Sequence, residues 1–499
     1  MTWTVAAVDL GASSGRVLRT VFNEGVLSVE ECGRFPNGPV RVPVNGGDDF
    51  EWDILALWTG VRQGLAEAAR RGPVDAIGID TWAVDYGLLD VDGRLVGNPQ
   101  CYRSPRTADA VDAVYAVMNA DVLYARNGLQ FQPFNSMFQL IADKEQARAR
   151  EGVKMLMIPD LLGYWLTGRR VCEVTNASTT GLVDPHTRCW DPEVLALLAE
   201  HFGVDVPGLL PELVEPGEIV GPVRLDGVDL RTSAGEPTPL VAVGTHDTAS
   251  AVAAVPAVDG KRFGFVSSGT WSLVGTELDE PVLSADSRAA NFTNELGVDG
   301  TVRYLKNIMG MWVQQECLRQ WRAQGDADLS WPILDAETDA AQPMRTLFDI
   351  NDPEFFAPGD MLGRINAWCA KVGEPLPENR GQLLRSITES LVVAYRRALR
   401  EASELSGRLL EVIHIVGGGS KNALLCQGTA DATGLPVVAG PVEGTAFGNM
   451  IVQLRAVGAL EGSLSDLRVV VAASETVTRY EPRPEAMADW DAAEKRVCG

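Results

Sequence analysis

"TVAAVDLGASSGRVL", residues 4–18, runs apolar from Thr4 to Val8 and then sets Asp9 before a string of Gly, Ala and Ser. Arg16 closes that string, and Val and Leu resume behind it. Two Val-rich runs around a glycine-containing link predict two strands joined by a tight turn. Small residues in such a turn bring backbone N–H groups and hydroxyls close to whatever lies above, which suits phosphate oxygens. An ordinary hairpin with polar turn residues fits the same letters. "GFVSSGTWSLVG", residues 264–275, repeats the arrangement: apolar strand, Ser/Gly turn, apolar strand. One such hairpin in each half predicts a duplicated domain pair whose turns face a cleft and grip a nucleoside triphosphate.

A chain of 499 residues exceeds what a single core serves, so two large domains are expected. The net charge is −24 and no basic cluster stands out, which argues against a nucleic-acid groove. In so acidic a chain, anion binding has to rest on local N–H groups, a few Lys or Arg, or a metal ion. The eight cysteines (Cys32, Cys101, Cys172, Cys189, Cys317, Cys369, Cys426, Cys498) form no C-x-x-C pair, as expected of reduced thiols in the cytoplasm. His186, His201, His246 and His414 keep no helical spacing, so a His-rich metal centre is not expected. Asp9 interrupts the first apolar run and Pro256 the most apolar one, leaving no expected leader and no bilayer span. The expectation is a soluble cytoplasmic protein with neither nucleic acid nor membrane as partner.

Strand-like runs alternate with helical patterns, which predicts α/β architecture. Candidate strands are Ala76–Asp80, Tyr86–Asp90, Pro239–Gly244, Arg262–Ser267 and Val412–Val416, and Asp53–Arg71 reads as a helix. In "LLRSITESLVVAYRRALREASEL", apolar residues from Leu383 to Leu405 keep helical spacing, and Gly407 supplies the stop. "VIHIV", the link "GGGSKN" and a helix from about Asn422 follow. That succession is a nucleotide perch, or simply a turn that needs glycine. The Pro-, Gly- and Glu-rich segment 207–239 reads as a connection, dividing the chain near residue 244 into 1–244 and 245–499.

Walker A, protein-kinase, Rossmann and G-x-S-x-G patterns are all absent. In "GTHDTASAV", residues 244–252, Asp247 follows a candidate strand directly. A carboxylate there suits a base that takes a proton from a substrate hydroxyl, and it equally suits the N-cap of a following helix. "IDTWAVDYGLLD", residues 79–90, gathers Asp80, Trp82 and Asp85 as a sugar pocket would, or as a hairpin with Trp82 in the core. Asn307 and Gln315 are eight apart, close to two helical turns, so one helix face is expected to present both amides.

Together, "VDLGASSGRV", "GIDTWAVDYGLLD", "YRSPRT", "TNASTTGLVD", "HDTASAV", "SSGTWSLVG", "LKNIMGMW", "HIVGGGSKN" and "VAGPVEGTAFGN" resemble, in that order, the FGGY carbohydrate kinases. The resemblance implies two actin-like, ribonuclease H-like α/β domains of the sugar kinase, chaperone and actin ATPase superfamily, with a deep interdomain cleft. Residues 1–244 would be the sugar and phosphate-loop half, and 245–499 the nucleotide-binding half with a C-terminal tail. It further implies ATP-dependent phosphorylation of a ketose, with L-rhamnulose at O1 the expected substrate and L-fuculose or L-xylulose the alternatives. A non-catalytic sugar or nucleotide sensor on the same fold is the rival reading. Asp247 would be the proton acceptor, with sugar contacts from Ala83, His246, Thr248 and Asn307. Ala12, Ser13, Ser14, Gly15 and Arg16 would line the ATP phosphates, Thr270 would grip them too, and Gln315 and Gly418 would meet the nucleotide. Asp9 would face Mg²⁺ through water. Where the family pattern T-W-G-V-D has glycine, this chain has Ala83, whose methyl group reshapes the expected sugar pocket. A monomer or small homo-oligomer is expected.

Overall fold

The computed structural model describes residues 2–44, 47–146, 148 and 153–498. The opening stretch forms the antiparallel hairpin Trp3–Leu10 and Ser14–Asn23, with Asp9 opposite Arg16 and Leu10 opposite Gly15. Trp3–Leu10 also pairs in parallel with Ala76–Thr81, which sets Asp9 beside Asp80. These strands lie in a six-stranded sheet ordered Ile219–Pro222, Pro239–Val241, Ala76–Thr81, Trp3–Leu10, Ser14–Asn23, Val26–Pro36. Burial on both faces explains why Trp3–Leu10 reads as a continuous apolar run rather than an alternating one.

One face of that sheet is covered by the helix Ile54–Arg70, started by Asp53, whose carboxylate accepts from the Ala56 N–H. Ile54, Leu57, Val61, Leu65 and Ala68 repeat at helical spacing and join Ala6, Val8 and Val17 in one core. Gly64 lets helix and sheet meet, because a Cβ there would stand 2.4 Å from Val17. The opposite face carries Val5, Ala7, Ala76 and Val241, packed with Phe447, Met450, Ile451 and Leu454 of the helix Gly444–Ala456.

The second hairpin forms as expected, Phe263–Ser268 against Ser272–Leu278, with Ser268 opposite Ser272. Its sheet continues through Val412–Val416, Val437–Ala439 and Thr478–Tyr480. The long helix spans Arg380–Ser406, with Asn379 at its N-cap and Gly407 ending it at φ 67°. The next helix, Ala423–Thr433, is capped by the Asn422 side chain.

Compactness divides the chain into one unit of residues 1–258, 277–304 and 444–475, and another of 259–276, 305–443 and 476–499. A single cut near residue 244 does not describe these units, because the helix Gly444–Ala456 returns to the first sheet. Tyr86–Leu89 pairs with Lys154–Met157 instead of forming a hairpin with Ala76–Thr81. No described helix is long and apolar enough to cross a membrane. Cys32, Cys101, Cys172, Cys189, Cys317, Cys369 and Cys426 are free.

Candidate active site

In the first unit, the helix Asp247–Ala253 begins just behind the strand Pro239–Val241. His246 occupies the N-cap with an extended backbone and makes no side-chain cap bond, so Asp247 is the first helical residue and not the cap. Its carboxylate is therefore free of helix-capping duty. Asp247 Oδ1 accepts from Thr248 Oγ1 at 3.1 Å and lies 3.4 Å from His246 Nε2. Oδ2 makes no hydrogen bond to protein among the described residues, and the side chain keeps 31% of its exposure. Burial raises the Asp247 pKa above the usual carboxylate range; His246 opposes the rise and nearby Asp9 adds to it. A partly exposed carboxylate with a raised proton affinity and one unengaged oxygen is suited to accept a hydroxyl proton.

The backbone leading into Asp247 is knitted by a carboxylate the sequence reading passed over. Glu173 accepts from the Thr175 N–H (2.8 Å) and Oγ1 (2.6 Å) and from the Thr245 N–H (2.9 Å) and Oγ1 (2.6 Å). Burial raises its pKa and these four donors oppose the rise. From the other side, Arg303 Nη1 lies 3.1 Å from His246 Nδ1 and 2.9 Å from Glu295 Oε2. Burial would lift the Glu295 pKa, but the Arg303 and His246 contacts outweigh it and leave it lowered. The helix Gly444–Ala456 packs closely on the helix that Asp247 begins: a Cβ on Gly448 would stand 1.8 Å from the Ser250 carbonyl oxygen.

Asp9 is buried, and its Oδ2 accepts from Arg16 Nε (3.0 Å) and Nη2 (2.7 Å). The turn beyond it is closed by Gly11 N–H donating to the Ser14 carbonyl and by Asn37 Nδ2 donating to the Gly11 carbonyl. Ala12 and Ser13 stand at the tip of that turn, Ser13 exposed. Gly15 has a packing reason to lack a side chain, since a Cβ would be 2.3 Å from the Phe35 ring.

Asp80 and Asp85 are fully buried and so offer no carboxylate to an open sugar pocket. Asp80 Oδ2 accepts from Asn449 Nδ2 at 2.6 Å while Oδ1 has no partner; burial, then Asp9, push its pKa well up. Asp85 accepts from Trp52 Nε1, Trp82 Nε1, Gln139 Nε2 and the Tyr102 N–H, and burial lifts its pKa to about 6 against those donors. Trp82 is core, its ring centroid 4.2 Å from that of Trp52. Ala83 is partly exposed beside it.

In the second unit, the hairpin turn brings Thr270 and Gln315 together, Thr270 Oγ1 donating to Gln315 Oε1 at 3.3 Å. Met311 and Trp312 N–H groups donate to the Gly269 and Thr270 carbonyls, which docks the helix Trp312–Gln324 under the turn. Asn307 ends up on the strand Val302–Ile308, so the single helix expected to present Asn307 and Gln315 does not exist. Gly418 opens a short turn after Val412–Val416. That strand runs parallel to Phe263–Ser268, so the Gly-rich turn and the Ser/Gly hairpin turn leave the same sheet edge. A Cβ on Gly419 would lie 2.0 Å from Ser268 Oγ, and Gly417 has φ 84°. Glycine is a steric need there.

Residues 4–254 match the FGGY family of carbohydrate kinases, N-terminal domain, and residues 264–457 match the C-terminal domain of that family. The chain belongs to the FGGY family of carbohydrate kinases. This FGGY kinase is 44% identical over 493 residues to a rhamnulokinase of Bacteroides thetaiotaomicron, covering 98% of this chain and 97% of the relative. It is 38% identical over 491 residues to a rhamnulokinase of Enterococcus faecalis, covering 96% and 94%. Among solved structures, it is similar to a gluconate kinase from Lactobacillus acidophilus (TM-score 0.76, 18% identity, 100% and 97% covered). It is also similar to a Plasmodium falciparum glycerol kinase with ADP (TM-score 0.77, 15% identity, 99% and 97% covered). The chain is accordingly a phosphotransferase acting on a sugar with ATP, on the actin-like kinase fold. Sequence reasoning missed Glu173, Glu295, Arg303 and Asn449; the last sits inside the quoted motif "VEGTAFGN" but its partner, Asp80, is 369 residues away.

Proposed function

We propose that this kinase transfers the γ-phosphoryl group of ATP to O1 of L-rhamnulose, giving L-rhamnulose 1-phosphate. The similarity to rhamnulokinases along nearly the whole chain supports the choice of sugar. The observation that carries the chemistry is Asp247, whose Oδ1 accepts from Thr248 Oγ1 and lies 3.4 Å from His246 Nε2, while Oδ2 is left to take the sugar hydroxyl proton. Phosphoryl transfer asks little covalent help of the protein: it needs in-line placement, charge neutralisation and a base orienting the attacking oxygen. Ala83, Thr248 and Asn307 bind the ketose in this reading, with His246 acting on it through Asp247. The turn Ala12–Arg16, together with Thr270, Gln315 and Gly418, binds ATP, and the enzyme works in the cytoplasm.

Mg²⁺ suits the oxygen donors present. Among the described residues no three ligating side chains converge, and Mg²⁺ is commonly held by one or two carboxylates together with phosphate oxygens and water. Asp9, with Oδ2 occupied by Arg16, would offer Oδ1 to the ion's water shell. When bound, the ion supplies neutralisation of phosphate charge.

A coupled ADP-release assay over L-rhamnulose, L-fuculose and L-xylulose tests the sugar. A kcat/KM for L-rhamnulose no better than the others overturns that assignment. Asp247→Asn is expected to lower kcat by about 10²- to 10⁴-fold with ATP binding kept. Unchanged turnover would remove Asp247 as the base and revive the sensor reading.

A further inference from the structure

Behind Asp247 lies a charged chain that the transfer reaction does not itself require. Arg303 is completely buried, and Glu295 and His246 each keep only 7% of their side-chain exposure. Arg303 Nε and Nη2 donate to the Leu296 carbonyl at 3.1 and 3.0 Å, and Nη2 also reaches the Thr175 carbonyl at 3.4 Å. Those bonds fix the guanidinium plane and aim Nη1 at His246 Nδ1, 3.1 Å away. Glu295 Oε2 lies 2.9 Å from Nη1 and 3.3 Å from Nδ1, so its charge faces both groups.

A guanidinium has only donors, and it stays protonated in proteins. An imidazole nitrogen that receives an Arg N–H must present its lone pair. The ring proton of neutral His246 then sits on Nε2, the nitrogen 3.4 Å from Asp247 Oδ1. The competing tautomer would give Nδ1–H to Glu295 and turn a bare Nε2 lone pair toward the Asp247 carboxylate, which is repulsive.

We propose that Arg303 is a positioning residue that locks His246 as its Nε2–H tautomer, so that His246 donates to Asp247 Oδ1 and leaves Oδ2 to the substrate hydroxyl. Glu295 supplies the counter-charge that permits Arg303 to be buried. The inference rests on Asp247 being the base, and it holds whichever ketose is phosphorylated. Partners that fix a histidine tautomer from behind change activity without touching substrate, by about 10- to 100-fold where the histidine holds a metal.

The test is ¹⁵N spectroscopy of the histidine rings in the full-length protein, with no substrate added. The chain has only four histidines, and His246→Gln assigns the relevant signals. The expected result at neutral pH is a protonated Nε2 and a bare Nδ1 on His246. A protonated Nδ1, alone or in an imidazolium, overturns the proposal. Arg303→Met is expected to move the proton to Nδ1 and lower kcat by about 10- to 100-fold with the KM for ATP unchanged, while Arg303→Lys recovers part of kcat. A folded Arg303→Met protein with the original tautomer or the original kcat also overturns it. A purely structural Arg303 would shift the melting temperature and leave the tautomer alone. If Arg303→Met does not fold, the wild-type tautomer and the kcat of Arg303→Lys decide. Failure of the wild type to use L-rhamnulose strikes the choice of sugar and leaves the tautomer result standing.

Discussion

Gly448→Ala adds one methyl group at a helix–helix contact, and it should damage both stability and turnover. The new Cβ would stand 1.8 Å from the Ser250 carbonyl oxygen, 2.5 Å from its carbon and 2.9 Å from its Cα. Carbon–oxygen contacts are comfortable from about 3.3 Å, so the two helices must separate by roughly 1.5 Å. Every nearby atom belongs to helix backbone, so no flexible side chain can give way. Overpacking of this kind costs about 1–3 kcal/mol and sometimes more. The separation also acts on chemistry, because Ser250 is three residues from Asp247 and Asn449 holds Asp80. Displacing a catalytic group by about 1 Å can cost 10²-fold, so kcat should fall roughly 10- to 100-fold while secondary structure is kept. Thermal melting and the coupled ADP assay measure the two effects, with Gly38→Ala as control, since its Cβ would meet nothing within 4 Å. A Gly448→Ala protein with wild-type melting temperature and kcat would refute the idea that this helix contact holds Asp247 in place.

Asp85→Asn should destabilise by about 2–4 kcal/mol at pH 7, because an amide cannot accept from all four surrounding donors. The Asp85 pKa is lifted from 3.8 to about 6 in the folded state, so the native protein gains stability relative to Asp85→Asn as pH falls through 6. Urea unfolding should show the gap widening by about 1 kcal/mol between pH 7 and pH 5, and a narrowing gap would contradict the burial argument. Ala83→Gly should reduce discrimination among ketoses by up to about tenfold in kcat/KM with the KM for ATP unchanged; an effect on ATP alone would place Ala83 elsewhere. Thr270→Ala should raise the KM for ATP several-fold, about 1 kcal/mol, with little change in melting temperature because Thr270 bonds only weakly to Gln315. An unaltered KM would take Thr270 out of the nucleotide site.

Local pattern reveals those parts of the molecule that local physics decides. Both hairpins, the helix ended by Gly407 and the cap at Asn422 follow from hydrophobic period and turn chemistry within a few residues. The expected helix carrying Asn307 and Gln315 fails because Gly310 lies between them, where a Cβ would meet the Ser272 N–H at 2.6 Å. The chain has to leave its strand there before the helix Trp312–Gln324 can start. Asp80 looked like a ligand-facing acid because its letters carry no sign of Asn449, and Arg303 gave no signal because burying a charge depends on partners distant in sequence. The letters leave Asp247 open between cap and base, and the extended backbone of His246 makes His246 the cap.

The return of residues 444–475 to the first sheet has a consequence for biogenesis. As the chain leaves the ribosome, Val5, Ala7, Ala76 and Val241 lack the apolar cover of Phe447, Met450 and Leu454 until the helix Gly444–Ala456 is made. At about 5–20 residues per second, synthesis from residue 258 to 475 leaves that sheet face open for roughly 10–40 s. The nascent chain therefore exposes apolar surface of the kind that promotes aggregation through that interval. A ribosome stalled before residue 444 would release a fragment prone to aggregate, not a working half-enzyme.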